Sequence, residues 1–275
     1  MPIPPDFHFS QANLRDYLAC PRRFKLRYLD RLAWPAIEAE PFIERERHLK
    51  RGALFHRLVE QKLKSIPESA LTAVAVENDL ADWWRAFLAF QNGLPEGKRL
   101  PEYTLTVPLG PYQLIAKYDL LIPTADGDCH IYDWKTSTYR TKTDVLRNDI
   151  QTRLYLLMAV EAGDSLHGSA ATPPERLLMC YWFAAFPGEP EMIHYTEMLY
   201  QRDRADILEL IERIATAPEE SFILTSDERQ CRYCVYRSFC ERGVGAGQAD
   251  ELDDGANDES DRDAFDFSQA AEIAF

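Results

Sequence analysis

The stretch "IYDWKTS", residues 131–137, places an aspartate and a lysine inside a run that is otherwise typical of a buried strand. Side chains alternate between the two faces of a strand, so Asp133 and Lys135 point to one face and Trp134 to the other. Trp134 then faces the core. The charged pair indicates either a functional groove or a plain ion pair on a solvated strand face.

The strand before this one carries a second aspartate. In "YQLIAKYDLLI", Asp119 stands among aromatic and aliphatic residues, and the turn "ADGD" leads to the next strand. If the two strands pair as a hairpin, Asp119, Asp133 and Lys135 converge on one face. Two close carboxylates repel each other unless a cation lies between them, and such oxygen ligands suit Mg²⁺ or Mn²⁺. A lysine beside the metal can contact a phosphate or the attacking water.

Two further pairs of residues, each spaced four apart, lie on predicted helices. "RGALFH" places Gly52 and His56 on one helical face, and "QTRLY" places Gln151 and Tyr155 on another. Each has a plain alternative, namely a hydrogen-bonded helix histidine or a helix face with a polar edge. Glycine would let the first helix pack close to the sheet, so that His56 reaches the metal.

In order and spacing these residues resemble the signature of the PD-(D/E)xK nuclease superfamily, and the QxxxY pair resembles a motif of RecB-type nucleases. The resemblance covers about residues 7–243. It implies an α/β fold with a restriction-endonuclease-like mixed sheet flanked by helices. One departure is the run Ala116-Lys117-Tyr118, since relatives usually have a glycine two or three residues before the first catalytic aspartate.

The resemblance implies a metal-dependent DNA nuclease, acting as a single-strand exonuclease in repair, recombination or CRISPR adaptation. Lys135 would orient or activate water and stabilise charge on the phosphate, while Gln151 and Tyr155 would position the strand or the lysine. Glu102 stands where many relatives keep a glutamate and is a candidate support for the metal. The rival interpretation is a nuclease fold that holds DNA or assembles a complex with little turnover. The implied ligands of Mg²⁺ or Mn²⁺ are His56, Asp119, Asp133 and the Trp134 carbonyl.

Four cysteines form a second constellation. "CRYCVYRSFC" has the spacing C-x₂-C-x₅-C, and "YLACPRRF" supplies one more thiol far upstream. Four thiolates can hold an iron–sulfur cluster or a tetrahedral zinc ion, although zinc sites usually offer two close pairs. The arrangement resembles the iron–sulfur staple of AddB-type and CRISPR-associated spacer-acquisition nucleases, which implies a [4Fe–4S] cluster joining the N- and C-terminal segments. Cys129 and Cys180 are predicted to be buried free thiols. The implied cluster ligands are Cys20, Cys231, Cys234 and Cys240.

Charge divides the chain into two parts. The 275 residues carry a formal charge of −14, and residues 244–275 contribute ten acidic side chains against one arginine. We therefore predict a nuclease domain over residues 1–243 and an acidic, disordered tail over residues 244–275. The remaining charge of −5 leaves room for a local basic groove. The tail segment "FDFSQA" echoes "FHFSQA" near the N-terminus, which makes the tail a candidate docking element for a protein partner.

The chain shows no apolar run long enough for a transmembrane helix and no secretory signal, so we expect no membrane association and a cytosolic location. Ser10 is predicted to cap a helix with Leu14, Tyr17 and Leu18 on one face. One long helix is predicted over 145–162. Further helices are predicted over 47–64, 80–91 and 204–215, and strands over 103–109, 112–122, 129–137 and 176–186.

Overall fold

A computed structural model describes residues 3, 4, 6–32, 40–76, 78–163, 166, 172–231 and 234–242, without the side chains of 40–46 and 78. The predicted acidic tail lies outside the described residues. The described strands are β1 His8–Phe9, β2 Leu100–Leu109, β3 Tyr112–Pro123, β4 Cys129–Lys135, β5 Leu177–Phe183 and β6 Glu191–His194. The described α-helices are α1 Gln11–Ala19, α2 Pro21–Phe24, α3 Glu40–Leu63, α4 Glu68–Thr72, α5 Asn78–Phe90, α6 Thr143–Asn148, α7 Ile150–Glu161 and α8 Glu197–Ala215.

The strands form one six-stranded mixed sheet. Strands β2, β3 and β4 form an antiparallel meander that contains the predicted hairpin of β3 and β4, β5 is parallel to β4, and β6 is antiparallel to β5. Strand β1 pairs in parallel with the start of β3. Helices flank this sheet, so the predicted mixed α/β class is confirmed. The sequence did not reveal β1 and β6, because runs of two and four residues are too short to show alternation.

Part of one edge of strand β3 has no strand partner among the described pairings. Strands β1 and β4 pair with opposite ends of the same edge of β3, because β2 occupies the other edge throughout. The β3–β4 ladder ends at the pair Leu120–Tyr132. Beyond that pair, among the described strand pairings, residues 115–118 pair with β2 alone. We call the gap between residues 115–119 of β3 and 133–135 of β4 the fork.

Each face of the sheet packs on its own hydrophobic core. One core includes residues of α1, α2, α7 and α8, and the other joins α3, α4 and α5 to the opposite face. The second core is rich in aromatic side chains: the Phe87 ring lies 5.5 Å from that of Trp134 and 6.2 Å from that of Trp182. Phe55 of α3 belongs to the same core, so the aromatic packing holds α3 against the back of the fork. No described helix combines the length and apolar character needed to cross a membrane.

Side-chain caps decide where α1 and α7 begin. Ser10 caps α1 as predicted: its hydroxyl accepts the Asn13 N–H at 3.3 Å, and the Asn13 side chain accepts the Ser10 N–H at 2.9 Å. The single helix predicted over 145–162 is wrong. Asp149 adopts an extended conformation, and its carboxylate accepts the Gln151 N–H at 2.7 Å, so α7 starts afresh.

Of the three residues predicted to share one face of α1, Leu14 and Tyr17 pack on the core and Leu18 does not. Leu14 is fully buried, whereas Leu18 is 55% exposed. The buried position of this turn belongs to Asp16, whose carboxylate lies 2.7 Å from Arg23 Nε and 3.1 Å from Arg27 Nη1. A buried carboxylate needs such partners, and meeting them turns Leu18 towards solvent.

We therefore expect the same substitution to have very different effects at these two leucines. Leu14→Ala removes buried apolar contacts and should lower the free energy of unfolding by about 2–5 kcal/mol. Leu18→Ala should change it by less than about 0.5 kcal/mol. Urea unfolding of both variants beside the wild type measures the difference, and equal losses would contradict the described orientation of α1.

Candidate active site in the fork

Asp119 takes the place of a strand partner at the fork. Its Oδ2 accepts the Trp134 N–H at 2.7 Å. The Trp134 carbonyl, which leaves the strand on the same side as the N–H, lies 3.0 Å from His56 Nε2. His56 Nδ1 in turn lies 3.1 Å from Asp119 Oδ1. Side chains thus satisfy both backbone groups that a continued ladder would have paired.

The contacts of His56 define its charge in this arrangement. A carbonyl and a carboxylate oxygen can only accept, so both contacts are hydrogen bonds only when the ring is an imidazolium. Burial opposes ionisation of Asp119. The charge of His56 and the hydrogen bonds from His56 and the Trp134 N–H outweigh it, so the pKa of Asp119 lies below its usual value. The site therefore already places a cation beside Asp119.

Asp133 and Lys135 form a buried pair on the α7 face of the sheet. Asp133 is 4% exposed, and its Oδ2 lies 2.8 Å from Lys135 Nζ. Gln151, at the start of α7, donates to Asp133 Oδ1 at 2.5 Å and accepts from Lys135 Nζ at 3.2 Å. The alternative of an ion pair on a solvated strand face is wrong, because the carboxylate is enclosed. Gln151 holds both charged groups in place.

Tyr155 fixes the open edge of β3. Its hydroxyl donates to the Lys117 carbonyl at 2.7 Å. The Tyr118 hydroxyl donates back to the Tyr155 carbonyl at 2.8 Å, and the two rings lie 4.6 Å apart. The predicted QxxxY pair is thus brought to the fork with separate contacts: Gln151 holds the lysine, and Tyr155 holds the backbone two residues before Asp119.

Glu102 joins the predicted residues more closely than the sequence indicated. The register of β2 and β3 places it opposite Asp119. Its φ of +51° lies in the left-handed region, which costs a non-glycine residue about 1–2 kcal/mol. Ligand atoms of His56, Glu102 and Asp119 all lie within 4.8 Å of one another. Asp133, a predicted ligand, is not in this group, since its oxygens face Lys135 and Gln151.

The charges of the fork show where a divalent cation fits. Burial and the neighbouring Asp119 charge raise the pKa of Glu102, and the charges of His56 and Lys117 offset this only in part. Glu102 has a strained backbone and too little positive charge near it, and it lies beside the His56 imidazole and the Asp119 carboxylate. These three groups are a suitable donor set for Mg²⁺ or Mn²⁺. Each carboxylate of the fork meets a different cation: Asp119 meets His56, Glu102 meets Lys117, and Asp133 meets Lys135.

The four predicted cluster cysteines lie where the N-terminal segment meets the C-terminal segment of the domain. All of them line one cavity, although no three described cysteines have sulfurs within 4.8 Å of one another. A tetrahedral zinc ion with Zn–S bonds of about 2.3 Å would hold the sulfurs about 3.8 Å apart, so the thiols are not gathered for a single ion. Cys129 and Cys180 are buried free thiols as predicted, and burial raises the pKa of each to about 12.

Protein contacts already join the two ends of the domain near this cavity. The rings of Phe24 and Phe222 stack at 6.0 Å, and the Tyr236 hydroxyl donates to the Leu32 carbonyl at 3.1 Å. Burial raises the pKa of the Cys234 and Cys240 thiols. Nearby cysteines raise the pKa of both thiols further, because all four cysteines line the same cavity.

Comparisons with known proteins bear on the family of the chain. No curated protein matches the chain. The crystal structure of SSO0001 is 13% identical, covering 87% of this chain and 88% of its own, with a TM-score of 0.39. A proposed exonuclease from Eubacterium rectale is 12% identical, covering 90% of this chain and 93% of its own, with a TM-score of 0.48. The sequence profile of the PD-(D/E)XK nuclease superfamily matches residues 8–241, and the chain therefore belongs to that superfamily.

Proposed function

We propose that the protein is a Mg²⁺- or Mn²⁺-dependent deoxyribonuclease of RecB type, a single-strand exonuclease that hydrolyses phosphodiester bonds in the cytosol. Repair, recombination and CRISPR adaptation are the processes that such an activity serves. Superfamily membership supports a nuclease role and nucleic-acid binding. The observation that carries the proposal is the gathering of His56, Glu102 and Asp119 at the fork, beside Lys135.

The donor set suits a hard divalent cation. His56, Glu102 and Asp119 would hold it, with the Trp134 carbonyl and Asp133 as the further ligands that the sequence predicts. When bound, such a cation polarises the phosphate and lowers the pKa of a water molecule. His56 must then give up a proton to become a ligand, because a metal-bound imidazole is neutral.

Lys135 contributes a fixed positive charge. Its ammonium is held between Asp133 and Gln151, at 2.8 and 3.2 Å, and so costs little to orient when a substrate arrives. From this position it stabilises negative charge on the phosphate or orients the attacking water. Gln151 is thus a positioning residue for Lys135, while Tyr155 keeps the backbone of β3 in register.

We expect Lys135→Ala and Asp133→Ala to lower the rate of divalent-dependent cleavage of end-labelled single-stranded DNA by at least about 100-fold. Removing one partner of a buried pair also strands a charge, so these variants should lose stability. The double variant Asp133→Asn, Lys135→Met removes both charges together and keeps the shapes. It should stay folded and remain inactive.

Lys142→Ala is the matched control, because Lys142 is an exposed lysine at the start of α6. It should cleave like the wild type. Full activity in the folded double variant would remove the active-site assignment. Tight DNA binding by the wild type without cleavage in Mg²⁺ or Mn²⁺ would instead establish the rival function, a nuclease-fold subunit that holds DNA.

We further propose that Cys20, Cys231, Cys234 and Cys240 bind a [4Fe–4S] cluster that joins the two ends of the domain. The shared cavity supports this, and a four-iron cluster binds each thiolate through a separate iron, which suits sulfurs that are spread apart. A zinc ion would require the four sulfurs to move closer together.

Cys20→Ser should lose iron and sulfide and lower stability, since one ligand and one anchor of the N-terminal segment are removed together. Cys180→Ser is the control, because Cys180 is a buried thiol of β5 in the opposite core. It should keep its iron. Iron and acid-labile sulfide are measured after anaerobic purification, and a full content of both in Cys20→Ser would refute the shared cluster.

The acidic tail is proposed to compete with nucleic acid or to dock on a protein partner. Its negative charge would occupy a basic groove, and its phenylalanine segment would anchor on an apolar patch. A chain ending at Gly243 should then bind single-stranded DNA more tightly at low salt, and the difference should shrink as salt rises. Fluorescence anisotropy measures both proteins, and equal affinity at every salt concentration would leave only partner docking, tested by pull-down.

A further inference from the structure

Lys117 lies at the solvent-exposed mouth of the fork, two residues before the candidate ligand Asp119 on β3. Its Nζ lies 2.6 Å from Glu102 Oε2, and its side chain is 43% exposed. Lys117 and Asp119 both lie between buried neighbours on β3, so the lysine side chain leaves the strand on the side of the candidate ligands. The lysine thus neutralises one of the two carboxylates in the group formed by His56, Glu102 and Asp119.

The contact between Lys117 and Glu102 competes with a divalent ion. Both cations would use the Glu102 carboxylate, and an ammonium this close to a metal repels it across a partly buried site. Glu102 cannot turn away easily, because its left-handed backbone and its place opposite Asp119 fix its direction. Lys117 can, because a half-exposed lysine on a four-carbon stem moves freely.

Once Glu102 no longer holds it, Lys117 is available to bind a second partner. The whole chain is acidic, and the other cations of the fork, His56 and Lys135, are held by Asp119 and Asp133. Once Glu102 binds metal, Lys117 is the ammonium at the mouth of the fork whose carboxylate partner has been taken. Asp119 and Glu60 also act on Lys117, but they are paired with His56 and Lys64. Phosphate oxygens of an entering strand are therefore its natural replacement partner.

We propose that Lys117 is a displaceable internal cation: it holds Glu102 in the metal-free protein, yields that carboxylate to the divalent ion, and then binds a phosphate of the nucleic acid. This inference rests on the proposed metal-dependent function and adds to it an ordered coupling. Metal binding both completes the donor set and frees a phosphate contact, so DNA affinity should depend on metal through Lys117.

The first measurement is Mn²⁺ binding to the protein alone, by calorimetry. Lys117→Met should bind Mn²⁺ roughly 5- to 50-fold more tightly than the wild type, in the range of ordinary coupling between sites. Lys117→Gln, which can still donate a hydrogen bond to Glu102 but carries no charge, should tighten binding in the same direction. In a Glu102→Gln background, Lys117→Met should have no further effect.

The second measurement is binding of a phosphorothioate single strand, with and without Ca²⁺, and with recovery of the intact strand checked. In Ca²⁺, Lys117→Met should weaken binding and reduce the salt slope by about 0.7, the loss of one single-strand phosphate contact. In EDTA it should bind like the wild type, since Glu102 then holds the lysine. Lys62→Met, which breaks the 2.9 Å pair with Glu68 on α3 and α4, is the control and should change neither measurement.

Opposite signs for metal and DNA affinity separate this coupling from a plain surface ion pair. If Lys117→Met and Lys117→Gln both match the wild type while the wild type binds Mn²⁺ and cleaves, the inference fails and the proposed function stands. Weaker Mn²⁺ binding in both variants would also overturn it, since Lys117 would then only support the site. If the wild type binds neither Mn²⁺ nor Mg²⁺ and does not cleave in either, the proposed function fails as well.

Discussion

The hydrogen bond from the Trp134 N–H to Asp119 Oδ2 is the interaction on which the site depends. It ends the β3–β4 ladder without leaving a buried donor unpaired, so the two strands can separate. His56 and Tyr155 do the same for the carbonyls of Trp134 and Lys117. In the fork, side chains therefore take the place of the missing strand partners. The residues that satisfy the backbone are also the ones that the proposed chemistry needs.

The helices on both faces of the sheet supply side chains to the fork. On one face, the Trp134 ring packs in the aromatic core that holds Phe55, so α3 delivers His56 to the fork. On the other face, Asp149 caps the start of α7 and places Gln151 in its first turn. There the Gln151 side chain contacts Asp133 and Lys135 of β4. Trp134 links the two roles, since its backbone belongs to the site and its ring to the core. Loosening the aromatic core should thus affect the site as well as stability.

Charge balance explains why an acidic chain can hold this site. Asp119, Glu102 and Asp133 each meet one cationic side chain, which avoids the cost of burying unpaired carboxylates. The three cations differ in how firmly they are held. Lys135 is clamped by two partners, whereas the Glu102 partner is half exposed. A divalent ion would therefore displace the weakly held charge and keep the clamped one.

The sequence by itself determined the strands β2, β3 and β4 and the common direction of Asp133 and Lys135, because strand alternation is a local property of the chain. It also determined the superfamily, through the order and spacing of its motifs. Only the tertiary structure decided which partner each charge meets. Glu102 reaches the donor set through strand register, Lys117 reaches Glu102 across that pairing, and Gln151 reaches Asp133 because the predicted long helix breaks. Such contacts depend on how distant segments pack, and residue spacing along the chain does not specify that packing.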